Sequence, residues 1–127
     1  MADVVGIWRL IEARAYSGTG ELLQPPYGPQ PMGLVTFQAD GRMMAVLCDG
    51  RPQLPAGSKR EYTSYCGDYT FDGTTLVTRV DAAADPSRLV DQVRRVEFEG
   101  ERLVLSVPPR STGSGAEQRE LVWERIA

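Results

Sequence analysis

Gly6-Ile7-Trp8-Arg9-Leu10-Ile11-Glu12-Ala13-Arg14-Ala15-Tyr16 is the stretch that decides the fold. After its opening glycine it contains no turn residue. Read two by two, it gives one row of Trp8, Leu10, Glu12, Arg14 and Tyr16, and a second of Ile7, Arg9, Ile11, Ala13 and Ala15. A strand sends such rows to opposite faces. We read it as the first strand of an antiparallel barrel, with Trp8 filling the floor.

Working outward, residues 17–31 hold four prolines and three glycines, which forbid a helix or a central strand. A connection of that length is typically a lid or a rim. Its segment Pro25-Pro26-Tyr27-Gly28-Pro29 reads equally well as a cap over the barrel mouth or as a strap on the outside. Three hairpins follow, each tipped by an acidic residue and glycine: Gly33 to Cys48 around Asp40-Gly41, Tyr65 to Asp81 around Asp72-Gly73, and Gln92 to Val107 around Glu99-Gly100. The first admits two registers. A two-residue loop pairs Phe37 with Met44. A type I turn over Ala39-Asp40, with Gly41 left-handed, pairs Phe37 with Met43. The second is preferred, because Val35, Phe37, Met43 and Ala45 then share a face.

Arg119 to Ile126 reads as the last strand, which makes eight. The stretch from Asp49 to Glu61, with Pro52 and Pro55, reads as a loop, and Ala82 to Asp91 holds a short helical turn near Asp85-Pro86-Ser87-Arg88. Pro108 to Gln118 reads as a polar, mobile loop. No linker divides the chain, so residues 1–127 read as one domain. The first and last strands are both apolar. As free edges they are aggregation hazards, and pairing them closes an all-β, eight-stranded, antiparallel up-and-down barrel.

The inward rows follow from apolar content. They are Tyr65, Gly67, Tyr69 and Phe71; Leu76, Thr78 and Val80; Gln92, Arg94, Val96 and Phe98; Leu103, Leu105 and Val107; and Leu121, Trp123 and Arg125. Up-and-down connectivity brings Glu12, Arg14 and Tyr16 to the same open end as Gln92 and Arg94, so the lumen reads as apolar below and polar above.

Composition narrows the function. The 127 residues carry a net charge of −3 with interspersed signs. Without a Lys/Arg cluster to displace counterions, nucleic-acid binding is not expected. No apolar run approaches the ~20 residues of a membrane-spanning helix. Met1-Ala2-Asp3-Val4-Val5-Gly6 lacks the features of a signal peptide, so a cytoplasmic protein is expected. Cys48 and Cys66 should then be thiols. There is no histidine, which removes Ser-His-Asp and Cys-His catalysis and the commonest transition-metal ligand. Asp81, Asp85 and Asp91 are too scattered for a calcium loop, so neither a metal nor a cofactor is expected.

Several pieces together resemble the bacterial lipocalin-like domain family. They are Gly6-Ile7-Trp8-Arg9-Leu10, Tyr27-Gly28, Pro31 to Phe37, Asp40-Gly41-Arg42-Met43, Tyr65-Cys66-Gly67-Asp68-Tyr69, Asp91 to Arg95, Leu103-Val104-Leu105 and Leu121 to Ile126. They stand in the family's order and span nearly the whole chain. The resemblance implies a calyx-shaped barrel of calycin type that binds small molecules at most. It also implies that Trp8 stacks under Arg125 as a structural plug. Many members carry a histidine pair on the fifth strand where this chain has Thr78-Arg79, so chemistry that needs those imidazoles does not carry over.

The candidate ligand-binding lumen is Glu12, Arg14, Tyr16, Phe37, Tyr65, Tyr69, Thr78, Gln92, Arg94, Leu105 and Trp123. An inward arginine stays charged and needs a partner. For Arg94 that is either Glu12 or a ligand carboxylate or enolate, which a guanidinium holds in bidentate fashion. The first reading is a binding protein for a small hydrophobic molecule with an acidic or carbonyl group, oriented by Arg94 and Gln92. One alternative is a cofactor-free cyclase or isomerase of a polyketide- or terpenoid-like substrate, with Glu12 as general base. Another is a filled barrel that dimerises or binds a partner, a homodimer being the simplest case.

Overall fold

Strands that alternate apolar and polar residues and are joined by short turns pair in sequence order, and here the order closes on itself. The computed structural model describes residues 3–107 and 118–127. Its strands are β1 (Gly6–Tyr16), β2 (Pro31–Phe37), β3 (Arg42–Asp49), β4 (Tyr62–Phe71), β5 (Thr75–Ala83), β6 (Asp91–Glu99), β7 (Arg102–Ser106) and β8 (Gln118–Arg125). They form a closed barrel in which every neighbour is antiparallel and β1 pairs with β8. One 3₁₀ turn, Pro86–Arg88, precedes β6, capped by the Asp85 carboxylate accepting from Ser87 N at 3.0 Å. Most of the expected loop from Pro108 to Gln118, residues 108–117, lies outside the described residues.

The tight hairpins all lie at one end, the base; the longer connections, 17–30, 50–61 and 84–90, lie at the other, the mouth. At the first hairpin Phe37 pairs with Met43, as the shared face of Val35, Phe37, Met43 and Ala45 requires. Gly41 adopts φ 94°, which only glycine holds without strain, and its N–H donates to Gln38 O at 3.1 Å. Trp8, Leu10, Val35, Phe37, Met43, Leu76, Leu103 and Trp123 form the core of the barrel, together with Val4 from the segment before β1. Each such side chain contributes on the order of 1.5–3 kcal/mol by leaving water.

β1 departs from the sequence reading. Its pairing with β8 runs Leu10↔Trp123 and then Glu12↔Val122, so Ile11 is an extra residue in a bulge. The bulge reverses the phase of the strand. Ala13 and Ala15 are buried on the inward row beyond it, while Glu12 is exposed. Glu12, Arg14 and Tyr16 therefore sit at the mouth end as expected, but on the outer face of the wall. Glu12 pairs there with Arg14 at 3.5 Å and not with Arg94. The Arg14 guanidinium is partly buried, yet the Tyr16 side chain and Glu12 outweigh that and raise its pKa.

Candidate functional site

The base is sealed. The Arg125 guanidinium carbon lies 4.2 Å from the Trp8 ring centroid, a cation–π contact, and its nitrogens donate to the carbonyl oxygens of Val5 and Asp3. Trp8 Nε1 donates to Val4 O at 2.8 Å. A side chain at Gly6, where φ is 141°, would collide with Arg125 and the Ala127 carbonyl. Trp8 and Arg125 thus stack on one another at the base. Tyr69 also belongs to this end. Its hydroxyl donates to Gln38 O at 2.7 Å, and its ring meets Phe37 edge-on at 5.1 Å. Its donor is committed to the hairpin and does not face the mouth.

Above the plug lies a cavity of about 100 Å³. Val35, Phe37, Met43, Ala45, Leu47, Leu76, Leu105, Leu121 and Trp123 give it apolar walls, and Tyr27, Thr63, Tyr65, Arg88, Arg94 and Arg119 line its upper part. A wider depression of about 450 Å³ sits over it, lined by Asp85, Ser87, Arg88, Val90, Gln92, Arg94, Val107 and Arg119. Arg88, Arg94, Val107 and Arg119 border both. Three cations therefore ring the passage from mouth to lumen. Arg94 extends beside Gln92, donating to Gln92 Oε1 at 2.6 Å and to Val93 O at 2.8 Å. The Tyr65 phenol stands near these cations. Burial raises its pKa, and the charges of Arg94 and Arg88 offset part of that rise. Thr78 is wholly buried on the inward row of β5, paired with Gln92. Trp123 Nε1 is buried with no hydrogen-bond acceptor among the described residues.

The proline-rich connection reaches into this mouth. Tyr27 is buried, and its hydroxyl donates to Thr63 Oγ1 at 2.9 Å. Its φ of 63° is rare for a bulky residue. Its N–H donates to Glu61 Oε1 at 3.0 Å. Beside it, the buried Asp49 carboxylate accepts from Arg51 Nη2 at 2.6 Å, which holds its pKa below the ordinary value. Of the two readings of this segment, the cap is the one that describes Tyr27.

Sequence reasoning thus placed Phe37, Tyr65, Thr78, Gln92, Arg94, Leu105 and Trp123 correctly on the inward rows. It missed Arg119, although stepping back by two from Leu121 along β8 reaches it. It also missed Arg88, which a loop presents, and Tyr27 and Glu61. The outer face holds Cys48 and Cys66, both unpaired thiols, and the ion group of Arg42 with Asp68 and Asp81. Among the described residues no cluster of His, Cys, Asp or Glu is able to hold a metal ion, and no helix is long and apolar enough to cross a membrane.

A closed eight-stranded antiparallel barrel with a plugged base, an apolar lumen and a polar mouth defines a calyx, a fold that fits small-molecule binding in general. The chain belongs to the lipocalin-like domain family: the family model of that description matches residues 5–126. A search of curated proteins gave no match.

Proposed function

We propose that the barrel binds a small organic anion, with a short apolar group in the lumen and an acidic or carbonyl group held by Arg94 and Gln92. The observation that carries this reading is the ring of Arg88, Arg94 and Arg119 where the apolar cavity opens into the mouth. The proportions set the ligand's shape. A cavity of about 100 Å³ is below the ~300 Å³ of typical ligand pockets. It suits a few carbons rather than a whole polyketide or terpenoid. The polar group then occupies the roomier mouth. The buried Trp123 indole N–H supports the reading, since a buried donor calls for an acceptor, here a ligand oxygen or a water. The cyclase alternative loses its base, because Glu12 is on the outer wall.

The test is calorimetric titration with 4-methylpentanoate, followed in parallel by tryptophan fluorescence. Arg94→Ala should weaken binding by about tenfold or more, the value of a charge-assisted hydrogen bond. Unchanged affinity in a folded variant removes Arg94 from the site. A wild type that binds neither this acid nor others of its size sinks the reading.

A second reading, association of two copies, is favoured by the outer face of β1–β3. Ile7, Met32, Leu34, Met44 and Val46 are exposed there, and the register sets Leu34 beside Val46 and Met44 beside Thr36. Its flanks carry both signs, Arg9 with Glu124 on one side and Arg42 with Asp68 on the other, so two copies about a twofold axis meet without a single-sign clash. Light scattering should show a dimer that Met44→Glu dissociates. A monomeric wild type excludes it.

A further inference from the structure

β4 and β8 stand on opposite sides of the eight-stranded barrel, four strands apart either way. Yet Glu61, just before β4, reaches Arg119 on β8: Arg119 Nη1 lies 3.7 Å from Glu61 Oε2. This ion pair crosses the mouth. The other oxygen of the same carboxylate, Oε1, accepts the Tyr27 N–H at 3.0 Å. One carboxylate thus ties together the two walls and the capping loop, while the Tyr27 side chain is held below by Thr63. Arg119 also lines the passage between mouth and lumen, so an anion entering there meets this arrangement.

We infer that Glu61 is a latch whose carboxylate occupies, at Arg119, the place that a ligand's anionic group takes on binding. The inference rests on the small-anion reading above. Exchange of one carboxylate for another leaves the cation satisfied throughout. It is also easy, because both partners are partly exposed and such pairs hold weakly. Once Glu61 leaves Arg119, its hold on the Tyr27 N–H loosens, and the backbone strain at Tyr27 favours movement of the cap. A neutral ligand of the same shape brings no charge to Arg119, competes poorly with the Glu61 carboxylate and leaves the latch closed. Glu61 is then a specificity-determining residue, selecting for negative charge although it never forms part of the ligand's pocket.

The experiment compares 4-methylpentanoate with 4-methylpentanamide on the whole chain. Wild type should bind the acid in preference to the amide. Glu61→Gln retains an acceptor for the Tyr27 N–H but gives up the charge. It should bind the acid about two- to fivefold more tightly, the range of an exposed ion pair removed from competition. In an Arg119→Gln background the Glu61 substitution should change nothing. Amide exchange at Tyr27 should accelerate when the acid is added to wild type, and not when the amide is added. If Arg94→Ala weakens acid binding while Glu61→Gln leaves it unchanged or weaker, the latch is wrong and the binding reading stands. If wild type binds no acid of this size, both fall.

Discussion

The two ends of the barrel are closed by different chemistry. At the base, Trp8 lies under Arg125, Val4 fills the space beneath, and the donors of Trp8, Arg125 and Tyr69 all end on backbone carbonyls. At the mouth, Tyr27 and Arg119 are held by one glutamate carboxylate. Backbone carbonyls of the barrel cannot be traded for anything in solution. A partly exposed side-chain carboxylate has competitors there. The base is therefore built to stay shut and the mouth to be contested, although both are filled by an aromatic ring.

Five changes test that contrast, from the most to the least drastic. Deleting Ala13, just beyond the bulge, should abolish folding. With the bulge kept, Arg14 and Tyr16 turn into the lumen; with it lost, Glu12 does. Circular dichroism would show it, and a folded deletion variant would mean that the residue count beyond the bulge does not set the phase of β1. Next, Trp8→Ala should lower unfolding free energy by about 3–5 kcal/mol in urea titrations. Tyr27→Ala should cost less than half as much, because water enters the space it vacates. Equal losses would erase the distinction between the ends. Tyr69→Phe should lower stability by about 1 kcal/mol, the usual net value of one hydrogen bond, and leave 4-methylpentanoate affinity alone. Tyr65→Phe should do the reverse.

The smallest effect is expected from acid. Arg51 holds the Asp49 carboxyl below its ordinary pKa, the N–H groups of Thr74 and Thr75 do so for Asp72, Arg42 for Asp81, and Ser87 for Asp85. A carboxylate with a depressed folded pKa adds stability above its unfolded value, about 3.9 for aspartate, and loses it as pH falls through the folded one. Melting temperature should thus hold down to about pH 4 and decline below it. Asp49→Asn should flatten that decline more than Asp85→Asn, since only the Asp49 side chain is buried.

Much of this was readable in advance, for physical reasons. Hairpin register is local: Ala39, Asp40 and Gly41 leave few turns to choose from, and Phe37 with Met43 selects among them. Closure was legible because two apolar end strands have no better partner than each other. The phase of β1 was not taken correctly, yet it is written there. Trp8 and Leu10 are apolar on one row, and beyond Ile11 the apolar residues, Ala13 and Ala15, are on the other. A strand cannot bury both sets without an extra residue, and a strict period of two hides that. The mouth was least legible. Tyr27, Glu61 and Arg88 come from three connections whose meeting depends on barrel closure, which no local pattern encodes.

One feature of the base bears on how the molecule can be handled. Ile7 N donates to Ala127 O at 3.0 Å, and Arg125 binds the carbonyl of Asp3, so residues 3 and 127 lie near one another beneath the plug. A tether attached at either position leaves the opposite end facing solution. A few added residues could also splice the two positions together, with new ends cut at the Asp72-Gly73 tip, also at the base. Immobilised or permuted in that way, the protein would still present the arginine ring and its cap to whatever flows past.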